Sequence, residues 1–257
     1  MEETPLVSVI MPAYNSANFI AEAIQSVLQQ SYLYWELLII DDSSEDSTVQ
    51  IIEKFILADP RIQLFQNKTN HGAGVSRNIG IKAAQGSFIA FLDADDLWLT
   101  KKLEIQLEFM KSHDLDMTFS SYYLINESGH ELHKKIQALP ILTYKKLLKS
   151  NYVGNLTGIY KVEKLGKIYS PTLRKRQDWA LWLSILKRVE STKGIIEPLA
   201  KYRIRENSIS NNKSSLLKYN YLIYREFLKY NKLKSLVKMG VFLKEHFFVK
   251  KKQEVSK

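Results

Sequence analysis

Cysteine is absent from the 257 residues of the chain, which excludes disulfide bonds and thiolate metal sites. Long apolar runs are missing as well, since no run approaches the roughly 18 residues that a bilayer-spanning helix needs. The first five residues, MEETP, are acidic and lead directly into an apolar stretch, unlike a secretory signal peptide. We therefore expect a cytoplasmic protein whose core is built from the 45% of residues that are hydrophobic.

Several catalytic sequence patterns are also missing. No Gly-x-Ser-x-Gly elbow occurs, and the five histidines form no ligand-spaced group. The glycines follow neither the Gly-x-Gly-x-x-Gly pattern nor the Gly-Lys-Ser/Thr phosphate loop. These absences disfavour a serine hydrolase, a histidine-based metal site and a phosphate-loop nucleotidase.

The net charge of +10 is concentrated near the C-terminus. Residues 229–257 contain nine lysines and two glutamates, a net charge of +7, so the remaining chain is close to neutral. Apolar residues recur there at helical spacing among the lysines: Leu236, Gly240, Leu243 and Phe247, with Val237, Val241 and Phe248 beside them. A basic amphipathic helix is typical of peripheral contact with a membrane surface, whereas a helix packed on the catalytic domain with a solvated end is the alternative.

The first half of the chain alternates short apolar strands with amphipathic helices. Strands are predicted at 6–11, 36–40, 61–65 and 87–92, and helices at 18–30, 47–58, 74–84 and 100–112. This alternation predicts an α/β fold with a mostly parallel central sheet flanked by helices.

The second half is less regular. Strands are predicted at 116–125, 193–196 and 201–204, and helices at 143–150 and 177–189. Beyond residue 211 the pattern is helical. We expect a catalytic domain over 1–210, divided into 1–98 and 99–210, and a basic helical C-terminal extension over 211–257.

An acidic cluster follows the strand at 87–92. Asp93, Asp95 and Asp96 are three carboxylates within four residues, which repel one another and resist burial. Mg²⁺ binds one or two carboxylates and completes its shell with water and substrate phosphate, and ligands of open α/β sheets bind at the carboxyl ends of strands. The cluster therefore favours a divalent-cation site, while an ordinary acidic turn is the alternative.

Other polar groups follow strands or open a helix. Tyr14, just after Pro12, offers a flat ring suited to stacking on a nucleobase, and Asp42 can accept a hydrogen bond from a pyrimidine imide. Arg77 presents a planar fork to anionic oxygens. A half-buried turn tyrosine, an Asx turn and a solvated arginine are the respective alternatives. Because carboxyl ends of parallel strands share one sheet edge, we expect the groups that follow strands to lie together.

Asp178 follows three cationic residues, Arg174 to Arg176. Nearby cations keep a carboxylate ionised at neutral pH, and a general base has to be ionised. The alternative is an acid that only stabilises the N-terminus of its helix.

Taken in order, these segments resemble glycosyltransferase family 2, whose members have the nucleotide-diphospho-sugar transferase (GT-A) fold. The resemblance covers about the first 200 residues. It is carried by VSVIMPAYN (7–15), LLIIDDSSEDST (37–48), NHGAGVSRNIGIKAAQG (70–86), FIAFLDADDLW (88–98) and RQDWALWL (176–183).

The resemblance implies an inverting hexosyl- or N-acetylhexosaminyltransferase. Such an enzyme moves one sugar from a nucleotide-sugar donor, usually a UDP-sugar, to a glycan or lipid-diphosphate-linked acceptor in cell-surface polysaccharide synthesis. Asp93 and Asp95 match the Asp-x-Asp pair that binds Mg²⁺ or Mn²⁺, and Asp178 matches the catalytic base. The positions that match donor-binding residues are Pro12, Ala13, Tyr14, Asn15, Asp42, Arg77, Asp93, Ala94 and Asp95.

The chain departs from the family's sequence pattern at two points, and two alternative functions have to be considered. The Gln-x-x-Arg-Trp pattern of processive synthases is missing, which favours single addition, and Gln177 stands where relatives commonly have an acid or glycine. A sugar-nucleotide nucleotidyltransferase would carry a Gly-rich phosphate loop where Pro12 to Asn15 stand. A nucleic-acid-binding domain would explain the basic charge, but carboxylates on one sheet edge repel phosphate, so we expect no nucleic-acid partner.

Overall fold

The computed structural model describes residues 4–171, 173–205 and 213–256. Within these ranges the chain forms eleven strands. They are β1 (Val7–Ala13), β2 (Trp35–Asp41), β3 (Ile62–Gln66), β4 (Phe88–Phe91), β5 (Leu97–Trp98), β6 (Met117–Ile125), β7 (Glu131–Ile136), β8 (Ile141–Thr143), β9 (Ile159–Lys161), β10 (Ser191–Arg203) and β11 (Glu254–Ser256).

The helices lie between these strands and at the C-terminal end. They are α1 (Ile20–Leu28), α2 (Thr48–Ala58), α3 (Ala73–Ala83), α4 (Lys102–Ser112), α5 (Tyr144–Leu147), α6 (Val162–Leu165), α7 (Gln177–Val189), α8 (Lys213–Leu222) and α9 (Lys232–Lys244). Single π-helical turns continue α8 over Ile223–Phe227 and α9 over Glu245–Val249. Short 3₁₀ turns span Asn155–Thr157 and Lys250–Gln253.

The first half of the chain forms a parallel sheet in the order β3-β2-β1-β4. The sheet then continues through β9, β6, β7 and β11, which pair antiparallel with their neighbours. β10 runs parallel to β6 and also pairs antiparallel with β5 and β8. The predicted parallel arrangement therefore describes the first half, and the sheet as a whole is mixed.

The central strands are buried on both faces. Ile10 and Ile40 point into a cluster with Ile81 of α3 and Trp182 of α7. The alternate strand residues point into a second cluster with apolar side chains of α1, α2 and α4. This two-sided burial explains why β1 and β2 read as continuous apolar runs rather than alternating ones.

The first strand is longer than predicted, because it continues through Pro12 to Ala13. The N–H of Leu92 donates to the Ile10 carbonyl, and the N–H of Asp42 donates to the Ala13 carbonyl. The backbone nitrogen of Pro12 therefore points to the side of β1 where β4 lies, and β4 has already ended at Phe91. No partner strand there needs the N–H that proline lacks, so the ladder with β2 continues past it.

Two other local predictions were wrong. Ser47 precedes α2 but its hydroxyl makes no capping bond; the Asp46 carboxylate instead accepts the Thr48 N–H at 3.0 Å. The two strands expected around Pro198 are the single strand β10, whose pairing with β6 is irregular near that proline. A proline at an irregularity does not interrupt a strand, because the ladder bond it lacks is already missing.

The residues after 213 pack on the catalytic core. Tyr224 and Phe242 are buried beside Trp179, with ring centroids 5.9 and 5.8 Å away. β11 adds to the sheet next to β7. The boundary predicted near residue 210 lies outside the described residues. In the described part of the chain, no helix combines the length and the apolarity that crossing a membrane requires.

Gly80 of α3 is a sensitive packing position. A Cβ atom added there would lie 2.6 Å from Ile10 Cγ2 and 2.7 Å from Ile40 Cδ1. We predict that Gly80→Ala lowers the free energy of unfolding by about 1–2 kcal/mol in urea titrations, because overpacking costs more than the helix propensity gained. Gly240→Ala is the control: a Cβ there has no neighbour within 4 Å, so we expect a gain of up to about 1 kcal/mol. Equal effects of the two substitutions would contradict the close packing of α3.

Candidate active site

The carboxyl ends of β1, β2 and β4 meet at one edge of the sheet. β1 is the middle strand: Ala13 pairs with Asp41 on one side, and Ile10 pairs with Phe91 on the other. The segments that follow these strands contain most of the predicted site residues. The sheet therefore brings together groups that are up to about eighty positions apart in the sequence.

Asp42 organises the connection from β3 to α3. Its buried carboxylate accepts hydrogen bonds from Asn67 Nδ2 at 2.7 Å, the His71 N–H at 3.1 Å and the Gly72 N–H at 2.6 Å. Gly72 has a φ of +85°, a conformation that glycine adopts without steric cost. Asp42 thus fixes the loop that leads to Arg77, although the sequence predicted only a contact with the base of the nucleotide.

The loops after β1 and β2 are joined to each other. The Asn15 N–H donates to Ser44 Oγ at 2.9 Å, and Asn15 Oδ1 accepts the Glu45 N–H at 2.9 Å. Asn15 and Ser43 have φ values of +44° and +68°, which are unfavourable for residues with side chains. Tyr14 lies on this joined surface with 47% of its area exposed, while Pro12 and Ala13 are buried in β1.

Arg77 and Asp93 form the central ion pair of the site. Arg77 Nη2 lies 2.5 Å from Asp93 Oδ1, and the guanidinium is almost fully buried. Burial works to lower the pKa of Arg77, but the charge of Asp93, with those of Asp178 and Asp95 further away, raises it. The pair therefore connects α3 to the acidic loop and places Asp178 within the same electrostatic environment.

Asp95 and Asp96 have different surroundings. Asp95 Oδ2 lies 2.8 Å from Arg205 Nε, whereas Asp96 Oδ1 accepts the backbone N–H of Arg203 at 2.9 Å. Burial raises the pKa of Asp95, and Asp93 adds to this while Arg205 opposes it. Burial raises the pKa of Asp96 well above its usual value, with further contributions from the two neighbouring carboxylates. Ala94, between Asp93 and Asp95, is buried in the core.

Arg203 holds the acidic loop in place and was not predicted. Its buried guanidinium donates to the carbonyls of Asp95 and Glu127, each at 2.8 Å, and to Glu22 Oε2 at 2.6 Å. It stands at the end of β10, next to the end of β6. The rule that polar residues at strand ends gather at one edge would have indicated both Arg203 and Asn67, had it been applied to every strand.

Asp178 lies in the first turn of α7. Its Oδ2 accepts a hydrogen bond from Asn151 Nδ2 at 2.8 Å. Arg176, with a φ of +66°, precedes the helix in a left-handed conformation. Burial lowers the pKa of Arg176, and the charge of Asp178 opposes this. Neither Asn151 nor Lys250, which donates to the Asn151 carbonyl, was recognised in the sequence, because contacts across loops have no local pattern.

Two clefts lie near these residues. One, of about 420 Å³, opens between the start of α3 and the segment before α7. Gln177 borders it and packs so closely on α3 that a Cβ on Gly74 would lie 2.8 Å from its Cγ. A larger cleft of about 630 Å³ lies between α1 and β5. None of the predicted site residues borders either cleft. The smaller cleft adjoins the predicted site, because its lining residues His71 and Gly72 donate backbone N–H groups to Asp42.

A metal site is not preformed in the described ranges, where no three acidic or histidine side chains converge. Asp93 and Asp95 nevertheless suit a divalent cation that needs only one or two carboxylates beside phosphate and water. Asp93 keeps part of its side chain exposed, and burial raises the pKa of Asp95, with repulsion from Asp93 adding to this effect. A cation bound between them would relieve that repulsion.

Comparison with known proteins identifies the family. The sequence profile described as glycosyl transferase family 2 matches residues 8–168. TuaG of Bacillus subtilis, whose name assigns it to teichuronic acid biosynthesis, is 42% identical over 231 residues, covering 90% of this chain and 92% of TuaG. The chain belongs to glycosyl transferase family 2.

Other similarities of this glycosyltransferase extend over most of its length. WfgD of Escherichia coli, named UDP-Glc:alpha-D-GlcNAc-diphosphoundecaprenol beta-1,3-glucosyltransferase, is 39% identical and 87% of each chain is covered. S. aureus TarS in complex with UDP-GlcNAc has a TM-score of 0.72 at 24% identity, covering 95% of this chain and 73% of TarS. The mannosyltransferase PcManGT of Pyrobaculum calidifontis, in complex with GDP-Man and Mn²⁺, has a TM-score of 0.66 at 17% identity, covering 96% of this chain and 71% of that one. The predicted family, fold class and glycosyltransferase activity are confirmed.

Asp93 and Asp96 allow a matched test of the site's electrostatics. We predict that Asp93→Asn lowers the free energy of unfolding at pH 7 by about 1–3 kcal/mol, because it leaves the buried Arg77 guanidinium without its charged partner. Asp96→Asn is expected to raise it, because a buried charge is removed while the amide oxygen still accepts the Arg203 N–H. Urea titrations in EDTA measure both effects.

The pH dependence of the free energy of unfolding gives a second test of the environment of Asp96. Since folding raises the pKa of this carboxyl, the folded protein binds more protons, and stability decreases as the pH rises from about 4 toward the folded-state pKa. Asp96→Asn should remove that decrease. Destabilisation of both variants by the same amount, with unchanged pH dependence, would contradict the different environments of the two carboxylates.

Proposed function

We propose that this glycosyltransferase transfers one sugar from a UDP-sugar to a hydroxyl of a lipid-diphosphate-linked glycan, with inversion at the anomeric carbon. The observation that carries the proposal is the shared environment of Arg77, Asp93 and Asp178 at one sheet edge. Two similar proteins support this donor class: the name of WfgD includes UDP-Glc, and TarS has been solved in complex with UDP-GlcNAc. The name of WfgD also supports a diphosphate-linked lipid acceptor.

The donor is assigned to the joined loops. Tyr14, exposed beside the Asn15–Ser44 contact, supplies a face on which a base can stack. Asp42 supplies a carboxylate at the base, and its bonds to the loop before α3 restrict its position. Arg77 and the acidic loop then lie where the diphosphate is expected, beyond the ends of β1 and β4.

Asp93 and Asp95 would hold Mg²⁺ or Mn²⁺ together with oxygens of the donor. Such a cation, when bound, supplies Lewis-acid stabilisation of the negative charge on the departing diphosphate. The protein's own contribution is to fix the acidic loop. Arg203 holds its backbone, and Arg77 and Arg205 orient the two carboxylates.

Asp178 is assigned as the general base. Its Oδ2 is occupied by the Asn151 amide, which leaves Oδ1 to accept the proton of the acceptor hydroxyl. As it loses this proton, the oxygen of the acceptor hydroxyl attacks the anomeric carbon. The bond from that carbon to the diphosphate breaks on the opposite face. The bonding electrons leave with the nucleoside diphosphate, and one in-line displacement inverts the configuration.

Membrane contact through α9 is part of the proposal. Phe242 faces the core, whereas Leu233, Leu236 and Val237 are exposed on the opposite face. Phe247 and Phe248 continue that exposed face, and Phe248 has 72% of its area accessible. Lysines surround it: Lys232, Lys234, Lys244, Lys251 and Lys252 are exposed. Apolar residues ringed by lysines suit a surface of anionic lipid, the expected location of a lipid-linked acceptor.

A donor panel tests the function. Purified protein is incubated with UDP-, GDP- and dTDP-sugars, with Mn²⁺, Mg²⁺ or EDTA, and release of free nucleoside diphosphate is measured. We expect slow hydrolysis of a UDP-sugar that requires a divalent cation, and faster release when a lipid-diphosphate-linked glycan is added.

Asp178→Asn is the variant that controls this assay. The substitution keeps the size of the side chain and an oxygen for the Asn151 bond, but it removes the base. We expect kcat to fall by about 10²–10⁴-fold with little change in KM for the donor. Full activity of this variant would show that Asp178 is not the general base. Equal release of nucleoside diphosphate with EDTA and with Mn²⁺ or Mg²⁺ would contradict the proposed need for a divalent cation.

Membrane contact is tested by flotation with liposomes. The wild-type protein should float with anionic vesicles and much less with neutral ones. Leu236→Glu combined with Phe248→Glu is expected to lower the bound fraction at least tenfold, since burial of each side chain contributes about 1.5–3 kcal/mol. Leu57→Glu, at a position on α2 that is 90% exposed, is the matched control. Equal flotation of the two variants would contradict the assigned surface.

A further inference from the structure

We propose that Lys250, presented by the C-terminal segment, is a positioning residue that orients Asp178 through Asn151. The inference rests on the proposed role of Asp178 as the base. It extends that role to a part of the chain outside the region matched by the family profile, which ends at residue 168.

The C-terminal segment is held firmly against the sheet. Strand β11 pairs Glu254 with Ile136. Just before it, the Gln137 N–H donates to the Gln253 carbonyl, and Gln253 Nε2 donates to the Gln137 carbonyl, each at 2.8 Å. Gln253 is buried. The turn that carries Lys250 is therefore fixed on its C-terminal side by paired backbone and side-chain bonds.

The other side of this turn is fixed by Glu245. The Tyr152 hydroxyl donates to Glu245 Oε1 at 2.6 Å, and Lys146 pairs with the same carboxylate. Glu245 is almost fully buried. Its bond to Tyr152 holds the loop that also contains Asn151. The segment from Glu245 to Gln253 is thus held by Tyr152 of this loop at one end and by Gln137 at the other.

Lys250 connects the segment to the base. Its ammonium donates to the Asn151 carbonyl, and the side-chain amide of Asn151 donates to Asp178 Oδ2 at 2.8 Å. The same asparagine accepts the Val153 N–H at 3.2 Å through Oδ1, so its amide orientation is determined. A shift of Lys250 would release the asparagine that orients Asp178.

The charges around Asp178 come from four elements. Arg77 faces it from α3, Arg176 from the residue before α7, Lys250 from the C-terminal segment, and the Tyr122 hydroxyl from β6. Burial lowers the pKa of Lys250 to about 8, and Arg176 adds to this while Asp178 opposes it. Lys250 is therefore charged below about pH 8 and loses its charge above it.

The test is the pH profile of kcat/KM for Lys250 variants. Lys250→Met should lower kcat about 10–100-fold, because the base is less well oriented. Because Lys250→Met removes the group that titrates near pH 8, its profile should lack the alkaline limb of the wild type. Lys250→Arg should restore most of kcat and move the alkaline limb above its wild-type position near pH 8. UDP affinity, measured by calorimetry, should stay within about twofold of wild type in both variants.

Lys187→Met is the control, because it removes the same charge from an exposed residue near the C-terminal end of α7; its profile should equal that of the wild type. Thermal unfolding identifies any variant that fails to fold. If Lys250→Met does not fold, the shift of the alkaline limb in Lys250→Arg tests the inference instead. A wild-type pH profile in Lys250→Met would overturn the inference, and so would weakened UDP binding with unchanged limbs. If Asp178→Asn is fully active, the proposed base fails; if it is inactive while Lys250→Met behaves like wild type, only the inference about Lys250 fails.

Discussion

The concentration of carboxylates at one sheet edge is the constraint on which the rest of the structure depends. Parallel topology brings the ends of β1, β2 and β4 together, and the acidic loop after β4 then needs cations. Arg77 comes from α3. Arg203 is the last residue of β10, and Arg205 follows it two residues later. Without these partners the loop could not be buried as deeply as Asp96 is. The second half of the chain is thus arranged around the charge that the first half gathers.

Much of the first half could be predicted because its causes are local. Apolar runs buried on both faces predict parallel strands, and the helices of this half lie within about two residues of their predicted bounds. The extension of β1 past Pro12 was missed, because it depends on where β4 ends rather than on the proline itself. The cap of α2 was assigned to Ser47 when the neighbouring Asp46 forms the bond; two adjacent capping residues cannot be ranked from sequence alone.

The candidate site was predicted in part, for a similar reason. Asp93, Asp95 and Arg77 belong to short motifs with recognisable spacing. The fold pairs Arg77 with Asp93 and places Asp95 close enough to affect the pKa of Arg77. Asn151, Arg203 and Lys250 make their contacts across 27 or more positions of sequence. Such pairs are set by strand order and by loop packing, and β10 and β11 were not predicted in the form they take.

The segment after α9 has two faces with different environments. Phe248 is exposed and Lys250 contacts Asn151, yet only one residue separates them, so their Cα atoms can lie no further apart than about 7 Å. A displacement of the backbone at Phe248 by more than a few ångströms would therefore also move the backbone at Lys250. If Phe248 enters lipid and Lys250 orients Asp178, as proposed, adhesion and turnover are linked through this short stretch.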